Sequence, residues 1–219
     1  VNGTCHLTNA PTAELVKLAE NAYRDTNIAF ANEMSLVCDK LNIDVWNMIE
    51  LANLHPRVEI LKPGPGVGGH CIAVDPWFIV DSAPEQTPLI QATRQVNDGK
   101  PDWVIEQALS ATEPTAIIAC LGLAYKADID DLRESPAMAI AEKLATLHHG
   151  EVLVVEPNIS ELPSSLKNHE NAKYCEYAEA LQRADTVVVL TDHKEFKDVD
   201  STALANKKII DTRGIWRKS

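Results

Sequence analysis

Residues 115–137, TAIIACLGLAYKADIDDLRESPA, indicate where a strand–loop–helix unit begins. The first nine residues form an almost continuous apolar run, which is typical of a strand buried on both faces. A polar loop follows, and from Pro136 to about His148 the pattern predicts a helix. This stretch therefore predicts a strand, a loop and a helix in the order that α/β proteins use.

The rest of the second half repeats this alternation. A short helix is predicted near Tyr177–Arg183, and three further strands are predicted at EVLVVEP, DTVVVLT and KKIIDT. Short apolar strands that alternate with helices indicate a parallel sheet covered on both faces. We therefore predict a Rossmann-like α/β domain for residues 113–219.

The first half has a helical pattern instead. From residue 12 to about residue 40, apolar side chains recur at spacings of three and four. A second helix is predicted over residues 45–53 and a third over about 86–111, which Pro101 is expected to kink or divide. We therefore predict a mostly helical central domain for residues 1–112.

Composition argues against several classes of protein. Hydrophobic residues make up 45% of the chain and charged residues 24%, which is ordinary for a soluble globular protein. No apolar run reaches the roughly 18–20 residues of a membrane helix. The formal net charge of −12 argues against nucleic acid or an anionic membrane as the main partner. A small anionic ligand remains compatible, because nearby basic side chains and backbone amides set the local field.

Five cysteines are scattered along the chain: Cys5, Cys38, Cys71, Cys120 and Cys175. There is no CxxC pair and no zinc-like Cys/His spacing, so we expect neither a disulfide framework nor a metal site. His148 is interpreted as a helix end and His193 as a loop residue. The cysteine usage favours a reducing, cytoplasmic setting.

The most unusual backbone is predicted for residues 61–76, LKPGPGVGGHCIAVDP. Four glycines and three prolines in this stretch argue against regular structure. Cys71 directly follows two glycines and a histidine, and the backbone amides of such a loop can approach a developing oxyanion. A thiol at this position can act as a nucleophile. A buried structural cysteine beside a turn is the alternative, and the loop alone leaves both open.

Other candidate residues lie on the long helix and at one edge of the sheet. Lys17 and Asn21 stand four residues apart, so both project from one helix face. The loop after the first strand lacks G-x-G-x-x-G, but Lys126 and Arg133 in that loop, and Arg213 in DTRG, follow strands at their carboxyl ends. Ligands of open α/β sheets bind at that edge. Solvated helix residues and a charged loop with internal Asp–Arg pairs are the structural alternatives.

Four stretches of sequence occur together in a specific order: AELVKLAENAYRDTNIAFANE, PGVGGHCIAVDP, GLAYKADIDDLRESPA and DTRG. They resemble the central helix, the active-site cysteine segment and the C-terminal nucleotide-sugar domain of the UDP-glucose/GDP-mannose dehydrogenase family. The resemblance covers almost the whole chain. The cysteine segment is most similar to the branch that oxidises UDP-N-acetylhexosamines, UDP-N-acetyl-D-mannosamine in particular.

The resemblance implies a two-step, NAD-dependent oxidation of the sugar C6 alcohol to a carboxylate. Cys71 would attack the intermediate aldehyde to form a thiohemiacetal, which becomes a thioester that water hydrolyses. Lys17 would stabilise the oxyanions, while Asn21 and Asp75 would position or activate water. Cys71 would thus be the nucleophile, with these three residues as its catalytic partners.

The resemblance also implies a set of binding residues. Arg133 would contact the NAD pyrophosphate, and Arg57 would reach the substrate of a neighbouring subunit in a homodimer formed through the long helix. Contacts with the UDP-sugar would come from Arg57, Lys62, Gly66, Gly68, Gly69, His70, Lys126 and Arg213. No metal is implied.

The family begins with an N-terminal domain that carries G-x-G-x-x-G after a strand, together with the main NAD site, and no predicted strand is followed by this motif here. The resemblance therefore implies a fragment of central and C-terminal portions with little turnover of its own. The product would supply an acidic sugar for a bacterial surface polysaccharide. The alternatives are a non-catalytic nucleotide-sugar-binding or dimerisation module and a dehydrogenase for UDP-N-acetylglucosamine or UDP-glucose. A cysteine hydrolase is disfavoured because no His or Asp is visibly paired with Cys71.

Overall fold

The computed structural model describes residues 3–217. Its α-helices are α1 (Ala10–Leu41), α2 (Val45–Ala52), α3 (Asp75–Ser82), α4 (Pro88–Ala111), α5 (Pro136–Leu147), α6 (Tyr177–Arg183) and α7 (Lys194–Lys197). Its strands are β1 (Ile118–Leu121), β2 (Val152–Val155), β3 (Ala172–Tyr174), β4 (Thr186–Val189) and β5 (Lys208–Asp211). Short 3₁₀ turns occupy Pro84–Gln86, Leu166–Asn168 and Ser201–Leu204.

The strands form one parallel sheet in the order β3-β2-β1-β4-β5. One face packs on apolar residues of α4 and α5, and the other packs on α6 and Phe196. The predicted α/β fold with helices on both faces is therefore confirmed. Because all strands are parallel, the loops after β1, β2, β4 and β5 meet at one edge of the sheet.

The long helix α1 is capped at both ends. Asn9, just before its first residue, binds a backbone amide that has no partner within the helix. The side chain of Asn9 accepts a hydrogen bond from the Thr12 amide at 2.9 Å. The helix ends at Leu41 and is capped by Asn42, whose φ of 53° is left-handed. α1 packs along α4, and α4 also packs against α5 and β5. Through α4, the helical half is therefore packed against the sheet half. No helix within residues 3–217 has the length and apolar content needed to cross a membrane.

A buried polar seam joins α1 to α4. Arg94 Nη1 and Asn97 Nδ2 both donate to Asp25 Oδ1 at 2.7 Å, and Asn32 Nδ2 donates to Asn97 Oδ1 at 2.9 Å. Burial raises the pKa of the Asp25 carboxyl, although the Arg94 guanidinium opposes the shift. The seam ends on the Gly64 amide, which donates to Asn32 Oδ1 at 2.9 Å. It therefore fixes the start of the glycine-rich loop to the two helices.

Three elements, α3, β3 and α7, were not predicted, and the helix expected to kink or divide at Pro101 is not divided. α3 begins at Asp75, inside the stretch expected to be irregular, because Pro76 stands in its first turn, where its fixed φ favours a helix. β3 has only three residues and pairs with β2 alone, so its sequence carries little periodicity. α4 is not divided at Pro101 and continues as one helix to Ala111.

Candidate functional site

Cys71 lies one turn before α3, at the end of the glycine-rich loop. Its carbonyl accepts hydrogen bonds from the amides of Val74 at 3.1 Å and Asp75 at 2.8 Å, so the backbone turns into the helix immediately after the cysteine. The residue is exposed. A thiol on this turn can be reached from solvent and by a ligand in the loop.

The helix α1 brings Asn21 to the same place. Asn21 Nδ2 donates to Asp75 Oδ2 at 2.5 Å, which joins α1 to the first residue of α3. Lys17 stands one turn earlier on α1, where it is exposed and pairs with Glu20 at 3.3 Å. The structure therefore brings Asn21 and Asp75 into direct contact, beside the turn that carries Cys71.

The glycines of the loop allow a close approach to the segment that follows β1. A Cβ at Gly68 would lie 2.3 Å from the carbonyl oxygen of Glu134, and the Gly69 amide donates to that oxygen at 3.2 Å. Gly69 has a φ of 90°, and its Cα faces the ring of Tyr125. Any side chain at Gly68 would force the two backbones apart. Gly66 is similarly close to Pro136.

The loop between β1 and α5 supplies charged side chains on the other side of this contact. Tyr125 packs on Gly69, so the neighbouring Lys126, which is exposed, belongs to the same region as the cysteine loop. Asp131 accepts two hydrogen bonds from the Arg133 guanidinium at 2.9 and 2.8 Å. These bonds hold the pKa of Asp131 well below its usual range, and His70 Nε2 lies 3.6 Å from the same carboxylate. The internal Asp–Arg pair considered from the sequence is therefore present.

Arg213 lies beyond β5, next to the start of the loop. Its guanidinium donates to Asp192 Oδ1 at 2.9 and 2.7 Å, and its Nη1 would be 2.7 Å from a Cβ at Gly64. Burial raises the pKa of Asp192, but the charge of Arg213 and the hydrogen bonds to the carboxylate together outweigh burial and lower that pKa. Lys62 is exposed one residue before the buried part of the loop. Arg57 is exposed after α2, and within residues 3–217 its guanidinium forms no ion pair with the other candidates.

Sequence reasoning missed two buried cations on α4, Arg94 of the polar seam and Lys100. Lys100 on α4 is 3% exposed, donates to Ser35 Oγ at 2.6 Å and lies 3.8 Å from the centre of the Trp103 ring. Burial lowers the pKa of its ammonium group to about 8. It lines a cavity of about 250 Å³ that also contacts Trp46 and Thr212. The signal was present, because Arg94, Asn97 and Lys100 recur every three residues along the face of α4 that meets α1.

The environments of the thiols differ sharply. Burial raises the pKa of Cys120 to about 12 and that of Cys175 to about 11, and Cys38 is also buried. Cys5 and Cys71 are exposed. The possibility that Cys71 is a buried structural cysteine is therefore wrong. All five thiols are free, as expected for a chain without a disulfide framework.

His193 lies in a loop, as predicted, but its buried contact was not expected. Its side chain is fully buried, and its Nε2 lies 3.0 Å from Glu156 Oε2. The sequence hid this contact because Glu156 and His193 follow different strands, β2 and β4. Both strands pair with β1, but the strand order that brings their ends together cannot be read from the sequence.

These features define a Rossmann-like α/β protein in which an exposed thiol and several basic residues meet at a glycine-rich loop. Two sequence models of the UDP-glucose/GDP-mannose dehydrogenase family match the chain: the central domain over residues 11–99 and the UDP binding domain over residues 119–218. The chain belongs to the UDP-glucose/GDP-mannose dehydrogenase family.

Relatives support a narrower comparison. The chain is 54% identical to a UDP-N-acetyl-D-mannosamine dehydrogenase of Salmonella typhi, over 99% of this chain and 54% of that protein. It is also 54% identical to an NDP-N-acetyl-D-galactosaminuronic acid dehydrogenase of Ralstonia solanacearum, over 99% of this chain and 51% of that protein. The structure of UDP-D-ManNAc dehydrogenase from Pyrococcus horikoshii matches with a TM-score of 0.84 and 38% identity, over 100% of this chain and 52% of that one. The chain thus spans about half the length of the relatives it matches.

The close approach at Gly68 can be tested against a second glycine. Replacing Gly68→Ala should lower the free energy of unfolding by about 1–3 kcal/mol, because the new Cβ overlaps the Glu134 carbonyl. Gly99→Ala is the matched control: this glycine lies on exposed helix with nothing within 4 Å, so alanine should stabilise α4 by about 0.5–1 kcal/mol. Urea unfolding of both variants measures the difference. Equal stabilities for the two variants would contradict the contact.

Proposed function

We propose that this chain is the catalytic-cysteine and nucleotide-sugar-binding part of a UDP-N-acetyl-D-mannosamine 6-dehydrogenase. The observation that carries the proposal is the exposed Cys71 beside the Asn21–Asp75 pair, in a loop packed against the UDP-binding half. Relatives that carry this activity in their names, at 54% identity, support the choice of sugar. The reducing cytoplasm would keep the thiol in its free form.

The proposed chemistry oxidises the C6 alcohol of the sugar to a carboxylate. Loss of a hydride and a proton from the alcohol gives an aldehyde, and Cys71 Sγ adds to its carbonyl carbon to form a thiohemiacetal. Loss of a second hydride, together with the hydroxyl proton, gives a thioester, and water adds to it and expels the thiolate, leaving the acid. Covalent attachment retains the aldehyde between the two oxidations. NAD⁺, when bound, supplies the hydride acceptor for both oxidations.

The residues around Cys71 fit the tetrahedral states of this sequence. Lys17 would place its ammonium group near the developing oxyanion, where losing one donor typically costs about 100–1,000-fold in rate. Its partner Glu20 is exposed, so the ion pair between them is weak and can be exchanged for the substrate. Asn21 and Asp75, already hydrogen-bonded to each other, would hold the hydrolytic water between an amide and a carboxylate.

The nucleotide end would lie across the loop and the edge of the sheet. Residues 62–69 would surround the UDP-sugar, Lys126 would contact it, and Arg213 would bind its nucleotide end. Arg213 already orients its guanidinium through Asp192, which supports a preorganised anion contact. These cations would supply the positive charge that a UDP group needs in a chain of net charge −12. Arg57 would serve the substrate of a neighbouring subunit.

The described residues offer NAD no complete binding site of the usual dinucleotide type. In dinucleotide-binding sheets, the amides after the first strand face the pyrophosphate and an acid after the second strand faces the ribose. Here the Leu123 and Ala124 amides donate to Glu156, so both parts of that site are bonded to each other. We therefore propose that the main NAD site lies in the N-terminal domain typical of the family. Arg133 would only reach the pyrophosphate from this side.

A second substrate is favoured by one observation. The relative named for N-acetyl-D-galactosaminuronic acid is as similar as the mannosamine enzymes, at 54% identity. Another UDP-N-acetylhexosamine is therefore the second candidate, ahead of UDP-glucose. In either case the product would be an acidic sugar suited to a bacterial surface polysaccharide.

A homodimer through α1 is supported by an apolar stripe. Val16, Tyr23, Phe30 and Val37 recur every seven residues and are each at least 41% exposed. A seven-residue repeat of exposed apolar side chains is the pattern along which helices pair. We propose that two copies of α1 meet along this stripe.

Cys71→Ala tests the proposed chemistry. In the complete natural gene product supplied with UDP-N-acetyl-D-mannosamine and NAD⁺, we expect uronic acid formation to fall at least about 1,000-fold, because the acceptor of the aldehyde is gone. UDP-sugar affinity measured by calorimetry should stay close to wild type. Cys5→Ser, at the other exposed thiol, is the control and should retain full activity. Turnover by Cys71→Ala at the wild-type rate would overturn the assignment, as would a wild-type protein that forms no uronic acid.

The stripe predicts a change of mass in solution. Tyr23→Glu combined with Phe30→Glu should convert a dimer into a monomer in sedimentation velocity, because burying two added carboxylates per helix is unfavourable. Gln95→Glu, an exposed position on α4, adds charge away from the stripe and should leave the dimer intact. A wild-type monomer, or a dimer that survives both carboxylates, would contradict the proposal.

A further inference from the structure

The turn that carries Lys126 is fixed on both sides. This pinned turn, residues 122–128, follows β1, and before Lys126 the amides of Leu123 and Ala124 donate to Glu156 Oε2 at 2.7 and 3.0 Å. After Lys126, the Asp128 amide donates to His193 Nδ1 at 2.9 Å. Lys126 therefore lies exposed in the middle of a turn whose two ends are hydrogen-bonded to buried side chains.

The side chain of Glu156 joins this turn to buried neighbours. Its carboxylate is fully buried, and Oε2 accepts from two turn amides and from His193 Nε2 at 3.0 Å. Oε1 accepts from the backbone and side-chain nitrogens of Asn158 at 3.1 and 3.0 Å. Five donors thus converge on one buried carboxylate, an arrangement that compensates for its loss of hydration.

His193 connects the two anchors. Its Nδ1 accepts from the Asp128 amide, so the ring proton is on Nε2 and is donated to Glu156. Asp128, His193 and Glu195 stand close enough to suggest a metal site, but both ring nitrogens of His193 are already used within the chain. The Phe196 ring packs against the imidazole edge. His193 is therefore a fixed strut between the carboxylate and the far end of the turn.

The charge on Glu156 is maintained by these contacts. Burial alone would raise its pKa, but the hydrogen bonds from His193 and from the Leu123 and Ala124 amides outweigh burial and lower it to about 2. The carboxylate is thus ionised at neutral pH and acts only as an acceptor. A neutral amide at this position would present donors to some of the same five donors.

We propose that Glu156 and His193 are positioning residues that fix the pinned turn and so aim Lys126 at the bound nucleotide sugar. The inference rests on the proposed function, because it takes Lys126 as a substrate contact. Thr191 adds to the same anchorage, since its hydroxyl donates to the Ala124 carbonyl at 2.7 Å. A lysine has four flexible side-chain bonds, so its contact with an anion depends on where its backbone is held.

The test is a double-mutant cycle on ligand affinity in the complete natural gene product. Calorimetric titration with UDP-N-acetyl-D-mannosamine, and with UDP alone, would be carried out on wild type, Glu156→Gln, Lys126→Ala and the double variant. Lys126→Ala should weaken the affinity about 10–100-fold, as expected for one charged contact. Glu156→Gln should weaken it to a similar extent, and the double variant should be no weaker than Lys126→Ala. Glu161→Gln, an exposed acid of the same half, should bind as wild type does.

A second, milder variant keeps the test valid if Glu156→Gln fails to fold. His193→Asn keeps an acceptor near the Asp128 amide and removes the donor to Glu156, so it perturbs the turn less than Glu156→Gln does. It should weaken binding by a smaller factor, again without further loss in combination with Lys126→Ala. Melting temperatures of all variants establish that each is folded under the titration conditions.

The outcomes separate the two proposals. Losses that add in the double variants would overturn the positioning role, because a merely structural contribution is independent of Lys126. Unchanged affinity in both Glu156→Gln and His193→Asn would overturn it as well. A folded wild-type protein that binds neither UDP nor the UDP-sugar would overturn the proposed function itself.

Discussion

The site depends on the absence of a side chain between Gly68 and the Glu134 carbonyl. At 2.3 Å from that oxygen there is no room for a Cβ, and the adjacent Gly69 amide bonds to the same oxygen. This contact joins the loop that ends at Cys71 to the loop that starts at β1. Together with the contacts of Gly64 with Arg213 and of Gly66 with Pro136, it places the thiol of the helical half and the basic side chains of the sheet half on one surface. Glycine here is a packing requirement, since contact distance rather than strain excludes larger residues.

Buried polar groups hold the backbone at both ends of this contact. On the helical side, the seam through Asp25, Asn97 and Asn32 ends on the Gly64 amide. On the sheet side, Glu156 ends on two amides of the turn that follows β1. In each case the buried group donates or accepts toward main chain near the site, so its desolvation is compensated by a fixed loop. By contrast, the exposed Lys17 makes only a weak, exchangeable ion pair with Glu20.

Sequence alone predicted the architecture well because its signals are local. Periodicity in α1 and the apolar runs of β1, β2, β4 and β5 gave the elements, and the glycine-rich loop drew attention to Cys71. The sequence could not give Glu156 with His193, or Asp25 with Arg94, because these pairs are separated by 37 and 69 residues and depend on strand order and helix packing. α3 was not predicted because its Pro76 belongs to a stretch rich in glycine and proline, a composition typical of irregular structure. The roles of the site residues stay predictions.

The central claim is that Cys71 becomes covalently attached to the sugar. The most direct measurement is mass spectrometry of peptides from an acid-quenched reaction of the complete natural gene product with its UDP-sugar and NAD⁺. The Asp75→Asn variant is the form of choice, because impaired water activation should let the thioester accumulate. The account predicts that the Cys71 peptide gains the mass of the oxidised nucleotide sugar and loses it on treatment with hydroxylamine. Continued turnover with Cys71 unmodified at every quench time, or the added mass on a different cysteine, would contradict it.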